Sequence, residues 1–187
     1  VTTDEMVVPT RGQDWDDGGA WRRLHTHTYN LEENAVNGGW SFCYGGVNAC
    51  NRLIFQFENL DIDEEQRAAV VGELKTLRAL YYLWLLDLYG RVPIVDRFDV
   101  PADFQPANNT RQEVFNFVES EVLANLDNLS EEVGQSTYGR VTKWVGHMIL
   151  ANLYLNAEVY TGKEEWAKAA EQANTVINSG QFSLARS

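Results

Sequence analysis

The residues best suited to binding chemistry lie among the first 45 positions. This stretch combines aromatic side chains, which offer flat apolar faces, with planar polar side chains that can bridge pairs of hydroxyl groups, and a sugar site needs both. The aromatic candidates are Trp15, Trp21, Tyr29, Trp40 and Tyr44, and the polar candidates are Asp4, Arg11, Asn30 and Asn37. We predict a ligand site formed by Asp4, Arg11, Trp15, Trp21, Tyr29 and Trp40.

Trp15 is the strongest of these candidates. It sits among three aspartates and two glycines, so little apolar material is available to bury its indole. Exposed aromatic surface commonly marks a binding site. Trp21 and Trp40 leave two alternatives open, because each could contribute to a ligand site or pin the segment onto the helices as ordinary core.

The histidines favour structural or surface roles. His25 and His27 could join the nearby aspartates as nitrogen and oxygen ligands of a metal. The aspartates do not fit the register of a calcium-binding loop, however, because its fifth position would be Gly18. His147 lies inside an apolar helical pattern, where a hydrogen-bonded core histidine is the ordinary explanation. We therefore predict no metal site and no cofactor.

The two cysteines, Cys43 and Cys50, are seven positions apart. On one helix that spacing separates them by about 10 Å along the axis, which is too far for a disulfide. We expect two buried thiols.

Catalytic signatures are absent from the sequence. There is no G-x-S-x-G nucleophile elbow, no H-E-x-x-H pair, no phosphate-binding P-loop and no G-x-G-x-x-G. Carboxylates are plentiful, but a glycosidase pair is recognised by its separation in space, which sequence does not give. We predict that the chain is not an enzyme.

Charge and hydropathy exclude two further classes. Fifteen Lys and Arg against 27 Asp and Glu give a net charge of −12, which repels a phosphate backbone, so nucleic acid is not an expected partner. The longest uninterrupted apolar run is Ala79–Leu86, far short of the about 20 residues that a membrane-spanning helix needs. We predict no spanning segment.

The elements that must position these residues fall into two regions. Residues 1–45 are rich in Trp and Gly, with turn-type sequences at Asp14–Gly19 and Asn37–Trp40, and predict a loop-rich leader. From residue 46 onward the apolar spacing is helical, most clearly over Ile62–Tyr89. Gly90 and the following proline provide a mechanism for ending that helix.

Three further helix signals follow along the chain. Thr110 and Glu113 have the spacing of a capping box and predict the start of a helix. Val141–Tyr160 carries two apolar stripes, as in a helix covered on both sides. Thr161–Glu164 repeats the capping-box spacing before a last helix that ends at Gly180. The short connection between these last two helices predicts an antiparallel hairpin.

A repeat emerges when the chain is shifted by 72 positions. The matching pairs are Ala79 with Ala151, Tyr82 with Tyr154, Leu83 with Leu155 and Gly90 with Gly162. This offset is close to two periods of the ~34-residue tetratricopeptide unit. We predict an all-α fold of tetratricopeptide-like helical hairpins over residues 46–187, with the leader of residues 1–45 packed on it as one structural domain. The alternative is an irregular α-bundle with chance matches.

Residues Leu74–Val95, with the sequence LKTLRALYYLWLLDLYGRVPIV, resemble part of a known family. This segment resembles the signature helix of the SusD/RagB family of outer-membrane nutrient-binding lipoproteins, in which an Arg-Ala pair, several tyrosines and a Tyr-Gly-x-Val-Pro exit follow one another. Thr3–Asn30 is similar to the loop region upstream in that family, and Thr142–Leu184 to its later repeat pair.

The resemblance implies a glycan-binding subunit on the extracellular face of the outer membrane, held by a lipid anchor. Such a subunit hands oligosaccharide or polysaccharide to a TonB-dependent (SusC-like) outer-membrane transporter in nutrient uptake, without catalysis. It also implies that the lipobox cysteine, the earliest helix and the irregular C-terminal half of the family lie outside these 187 residues, so that the chain is an N-terminal fragment.

Two other function classes stay open. A peptide-binding tetratricopeptide adaptor would use a concave groove with a basic clamp for a peptide carboxylate. A glycoside hydrolase fragment would show turnover. Neither class explains the Trp-rich leader.

Overall fold

The computed structural model describes residues 2, 3 and 5–184. Over these residues the chain is helical and forms no strand; two isolated β-bridges occur, one of them between Pro93 and Asn108. The α-helices are α1 (Ala20–His25), α2 (Asn34–Glu58), α3 (Glu64–Tyr89), α4 (Arg111–Asn125), α5 (Lys143–Leu155), α6 (Ala157–Thr161) and α7 (Trp166–Asn178). Short 3₁₀ turns occupy Asp17–Gly19, Leu126–Asn128 and Gln135–Thr137. The predicted all-α class is confirmed.

The chain divides into two compact units, Val1–Phe42 and Cys43–Ser187, and α2 begins in the first and ends in the second. The predicted turn at Asn37–Trp40 is wrong, because α2 already starts at Asn34. Glycine lowers helix propensity without forbidding a helix, and α2 carries a strong apolar stripe whose later residues are buried. That buried stripe is Cys43, Val47, Cys50 and Ile54.

The second unit is built from antiparallel helix pairs. Arg78 of α3 contacts Glu121 of α4, and Tyr82 contacts Phe117, so residue numbers rise along one helix as they fall along the other. The same holds for α5 and α7, where His147 lies against Gln172 and Tyr154 against Lys168. The predicted antiparallel hairpin at the end of the chain is therefore confirmed.

The predicted end of α3 at Gly90 and the predicted capping box of α4 are confirmed. Gly90 ends α3 with a φ of 76°, which favours glycine, and Asp63 caps its first turn by accepting bonds from two backbone amides. At the start of α4, Thr110 and Glu113 make the reciprocal bonds of a capping box.

Two predictions about the last helices are wrong. The continuous helix expected over Val141–Tyr160 breaks at Asn156, whose side-chain amide donates to the carbonyl of Asn152 at 3.0 Å and competes with the helical backbone bonds. The capping box expected at Thr161 is not formed, because Thr161 is the last residue of α6 and its hydroxyl donates back to Ala157. Helix α7 begins only at Trp166.

Three of the four pairs at the 72-residue offset occupy similar places. Ala79 and Ala151 are buried, Tyr82 and Tyr154 are buried, and Gly90 and Gly162 both have a φ of 76° at helix ends. The fourth pair departs from the pattern, because Leu83 is buried and Leu155 is exposed on the solvent side of α5.

The core of the second unit surrounds Tyr82, which is fully buried. Its ring meets Phe117 edge-on at a centroid distance of 4.9 Å, and its hydroxyl accepts a 2.7 Å bond from the backbone amide of Val95. Tyr44 packs edge-on against the same ring and donates to the carbonyl of Pro93 at 2.7 Å. The segment after α3 is thus held to the core by two tyrosines.

A buried guanidinium ties the same segment to three helices. Arg78 donates to Oε2 of Glu121 from Nε and Nη2, at 2.9 and 2.7 Å. Its Nη1 donates to Oδ1 of Asn51 at 2.6 Å and to the carbonyl of Asp96 at 2.5 Å. The Arg78 side chain is only 3% exposed, and the ring of Phe117 lies 5.7 Å from its guanidinium carbon.

Two neighbouring glycines of α2 give a matched test of how closely α2 packs. A Cβ on Gly46 would lie 2.3–2.5 Å from ring atoms of Tyr81, whereas a Cβ on Gly45 would meet nothing within 4 Å. Gly46→Ala should therefore overpack this contact and lower the free energy of unfolding by roughly 1–3 kcal/mol. Gly45→Ala should raise it by about 0.5–1 kcal/mol, since alanine has the higher helix propensity.

Chemical denaturation of both variants measures these changes in the free energy of unfolding. Equal effects of the two substitutions would contradict the close approach of α2 to Tyr81.

Candidate functional site

The backbone of the first unit presents Trp15 outward. The amides and carbonyls of Arg11 and Asp14 exchange two 3.0 Å bonds, which close a turn just before it. Trp15 itself has a φ of 59°, and positive φ values continue at Asp17, Gly18 and Gly19. This left-handed stretch turns the chain sharply into α1, and the Trp15 side chain stays 56% exposed.

Trp15 and Trp21 form an aromatic pair. Their ring centroids are 6.2 Å apart and the planes cross at 62°, an edge-to-face arrangement. The indole N–H of Trp21 donates to the carboxylate of Asp17, so the Trp21 ring is fixed in orientation. One side of the Trp15 indole is thereby supported while the exposed part remains open to a ligand.

Arg23 links the left-handed turn to the residue that precedes α2. It pairs with Glu33 and donates to the carbonyl of Gly18 at 2.6 Å, so one side chain links the left-handed turn, α1 and the residue before α2. The hydrogen bond from Arg23 holds the pKa of Glu33 below its ordinary value. Glu33 is therefore an anion at neutral pH and forms a charge-assisted bond.

A cavity of about 560 Å³ lies beside the aromatic pair. One wall is Trp21, and the remainder mixes carboxylates, a guanidinium, an amide and small apolar groups. Its lining residues are Asp17, Ala20, Trp21, Arg23, Leu24, Glu32, Glu33, Asn34 and Ala35. Such a cavity offers both hydrogen-bond donors and acceptors next to an aromatic face, which suits a ligand that carries hydroxyls on an apolar ring.

The predicted site residues have different outcomes. The structure joins Trp15 and Trp21 directly, and neither Trp21 nor Trp40 is buried core. Arg11 is exposed at the turn before Trp15, Tyr29 is exposed between α1 and α2, and Trp40 is exposed on α2. Asp4 lies outside the described residues, and the ligand role of the whole set stays a prediction.

Other candidates from the sequence serve the fold. The side chain of Asn30 accepts from the amide of Glu32 at 2.8 Å, and that of Asn37 donates to the carbonyl of Leu31 at 2.8 Å. The hydroxyl of Tyr44 donates to the carbonyl of Pro93, and burial raises the pKa of its phenol. These contacts give the three side chains structural partners, and a ligand role for the exposed Asn30 and Asn37 stays a prediction.

Sequence reasoning missed the residues that hold the site together. The Asp17–Trp21 bond has the four-residue spacing of one helical turn, which is a readable signal. The Arg23–Glu33 pair spans ten positions and a loop, and no local pattern indicates it. The cavity residues beyond Trp21 carry no motif of their own.

The histidines and cysteines have structural roles. His27 bonds the carbonyl of Thr2 at 2.8 Å, and His147 shares a 2.7 Å hydrogen bond with Gln172. Cys43 and Cys50 are buried and free, as predicted, and burial raises the pKa of Cys50 to about 11. Among residues 2, 3 and 5–184, no three His, Cys, Asp or Glu side chains converge as a metal site. Nor does any helix in that part of the chain have the length and apolar character of a membrane span.

Comparison with known proteins gives consistent matches. The SusD-like family model, described as starch-binding and associating with the outer membrane, matches residues 7–155. The starch-binding protein SusD of Bacteroides thetaiotaomicron is 36% identical over 108 residues, which cover 58% of this chain and 19% of that protein.

Two solved structures share the fold. The surface glycan-binding protein A from Bacteroides uniformis has a TM-score of 0.78 at 24% identity, covering 91% of this chain and 37% of that one. A protein solved with xylogluco-oligosaccharide has a TM-score of 0.76 at 25% identity, covering 86% and 33%. The present chain therefore spans about a fifth of the length of the curated relative and about a third of each solved one.

The Arg23–Glu33 pair predicts that the local stability of α1 depends on pH. A carboxylate whose pKa is lowered by folding stabilises the folded state above its unfolded pKa, and that stabilisation is lost as the pH falls through the folded value. Glu33→Gln should therefore speed amide hydrogen exchange in α1 at neutral pH, and the difference from wild type should vanish in acid.

Glu32→Gln is the matched control, because Glu32 lines the same cavity without pairing to Arg23. It should leave exchange in α1 unchanged at every pH. A Glu33→Gln effect that persists undiminished in acid would contradict the account.

Proposed function

The chain belongs to the SusD-like family, and from that membership we propose that it binds oligosaccharides through the Trp15–Trp21 pair without cleaving them. The observation that carries the proposal is the exposed Trp15 indole, held at its edge by Trp21 beside a polar cavity. Pyranose rings present a C–H face that stacks on an indole, and their hydroxyls need donors and acceptors nearby. Arg11, Tyr29 and Trp40 are proposed to extend the ligand surface, together with Asp4.

The absence of catalysis is part of the proposal. The sequence lacks the nucleophile and metal signatures of hydrolases, and the names of the matched family and of the Bacteroides thetaiotaomicron relative describe starch binding. The charged groups near Trp15 also have structural partners: Asp17 holds Trp21, and Glu33 holds Arg23. A carboxylate kept as an anion by an arginine is poorly suited to act as a general acid.

For the whole protein we propose a location on the extracellular face of the outer membrane. A lipid anchor outside these 187 residues would hold it there, beside a TonB-dependent (SusC-like) transporter that receives the oligosaccharide. Trp84 and Leu88 support a docking role, since they lie one turn apart on α3 and both are exposed. Exposed apolar pairs of this kind favour contact with another protein.

The peptide-binding adaptor is disfavoured by the charges of the repeat helices. Such a protein needs free cations to clamp a peptide carboxylate. Most basic residues on the helices of residues 46–187 pair with carboxylates of this chain; they are Arg67, Lys75, Arg78, Lys143 and Lys168. Within the part of the chain that the structure describes, Arg52 of α2 and Arg111 of α4 form no ion pair, so few cations remain for such a clamp.

Replacing Trp15 with alanine tests the binding site. Sugar stacking is individually weak, so we expect wild-type dissociation constants in the ~µM to mM range and a preference for oligosaccharides over monosaccharides. Trp15→Ala should weaken binding of maltoheptaose or a xyloglucan oligosaccharide by about tenfold or more, which is about 1.4 kcal/mol. Isothermal titration calorimetry measures the change, and the melting temperature should stay nearly constant.

Trp166→Ala is the matched control, because Trp166 is 53% exposed and lies at the start of α7 in the other unit. It should bind as wild type does. Equal loss in the two variants, or no loss in Trp15→Ala, would contradict the proposed site.

The proposed lack of turnover has its own measurement. Long incubation of the chain with either oligosaccharide should release no new reducing ends above a buffer blank. Steady release that survives repurification of the protein would overturn the non-catalytic function.

A further inference from the structure

A second cavity lies wholly within the second unit, against the segment that follows α3. Its volume is about 490 Å³, and α2, α3 and α4 form its other walls. Most lining side chains are polar and of both charges. They are Asn51, Ile54, Phe55, Glu58, Asn59, Lys75, Arg78, Asp96, Arg97, Phe98, Asp99 and Glu121.

The segment at the mouth of this cavity is held rigidly by its backbone. The side-chain amide of Asn51 donates to the carbonyl of Val95 at 2.8 Å, and Arg78 donates to that of Asp96 at 2.5 Å. The hydroxyl of Tyr82 accepts from the amide of Val95. Because residues of α2 and α3 bond the backbone of this segment, the side chains of residues 97–99 are held at fixed positions. These side chains take no part in the bonds that anchor the backbone.

An aromatic pair borders the cavity. Phe55 of α2 and Phe98 of the anchored segment have ring centroids 6.0 Å apart with planes tilted by 44°. Both rings are about two-fifths exposed although each has an aromatic neighbour. A phenylalanine side chain has no hydrogen-bonding group, so its exposure to water brings no favourable interaction. An exposed aromatic face beside a polar cavity therefore suits a ligand that has an apolar face itself.

The charges of the cavity nearly balance. Four carboxylates face three cations in the lining, and Arg78 is already neutralised by Glu121. The two bonds from Arg78 to Glu121 both end on Oε2, and Glu121 is one of the residues that line the cavity. Such a lining gives no net attraction to an anion or a cation, but it offers donors and acceptors to an uncharged polyhydroxyl ligand.

We propose that this cavity is a second saccharide site for neutral sugars, with Phe98 and Phe55 as its stacking face. Arg97, Asp99 and Oδ1 of Asn59 bond the hydroxyl groups there, since the Asn59 amide group already donates to the carbonyl of Phe55 at 2.6 Å. Oε1 of Glu121 accepts from a further hydroxyl. The inference relies on the proposed function for the class of ligand only. The site shares no residue with the Trp15–Trp21 pair, since its lining residues all belong to the other unit.

Site-resolved NMR titration of the full chain separates the two sites. Maltoheptaose and a xyloglucan oligosaccharide are the probes, each added in turn. The readouts are the backbone amides of residues 95–99 for the second site and the indole N–H groups of Trp15 and Trp21 for the first. We expect saturable shifts at both places with independent dissociation constants.

Phe98→Ala should raise the dissociation constant measured at the amides of residues 95–99 by about tenfold. The dissociation constant measured at the indole N–H groups of Trp15 and Trp21 should not change. Phe104→Ala is the matched control, because Phe104 and Phe98 are both 41% exposed and Phe104 does not line the cavity. Phe55→Ala, from the opposite side of the pair, should reproduce the Phe98→Ala loss. Thermal melts of all three variants verify that the fold is retained.

The outcomes divide cleanly. Shifts at the indoles alone overturn the second site and leave the proposed function standing. Shifts at residues 95–99 alone support the second site and overturn the Trp15–Trp21 site. Shifts at 95–99 that are equally weakened by Phe104→Ala overturn the stacking role of Phe98, and no saturable shift with either probe overturns both sites.

Discussion

The burial of one guanidinium organises the helical unit. Arg78 is almost wholly removed from water, and an unpaired charge in that position would cost several kcal/mol. The chain meets this constraint by bringing Glu121 from α4, Asn51 from α2 and the carbonyl of Asp96 to the same group. Burial raises the pKa of Glu121 and the adjacent guanidinium opposes that rise. Because four separate parts of the chain must meet at Arg78, the arrangement of α2, α3 and α4 and the path of the chain after α3 depend on it.

The two units place aromatic groups at the surface by different means. In the helical unit, the Arg78 network and Tyr82 fix the backbone around Val95, and this leaves Phe98 outside the core. The first unit has little apolar material, so its order comes from left-handed backbone and from the Arg23–Glu33 pair. Both devices hold an aromatic face exposed at the surface. A binding module that works by stacking needs such faces, since each one loses its use once it is buried.

Much of the scaffold could be predicted from the sequence where the signal is local. The apolar spacing of α3, the stop at Gly90 and the Thr110–Glu113 box are interactions within a few residues, and each is confirmed. The failures at Asn37–Trp40 and Asn156 have different reasons. In α2, burial of an apolar stripe outweighed the low helix propensity of the glycines. At Asn156, one side-chain amide interrupted a helix that periodicity alone predicts to continue. The exposure of Trp15 was predictable from its acidic and glycine-rich neighbours. The contact of Trp21 with Trp15, the Arg23–Glu33 pair and the Arg78 network were not, because they join residues whose proximity only the folded backbone creates.

In the proposed function, an aromatic face held exposed by the Arg23–Glu33 pair and by left-handed backbone binds a sugar ring. A crystal structure of the chain in complex with maltoheptaose or a xyloglucan oligosaccharide tests it most directly. We expect a pyranose ring stacked on the exposed face of Trp15, with Arg23 and Glu33 still paired. A saccharide bound elsewhere, with the Trp15 indole left in solvent, would contradict it.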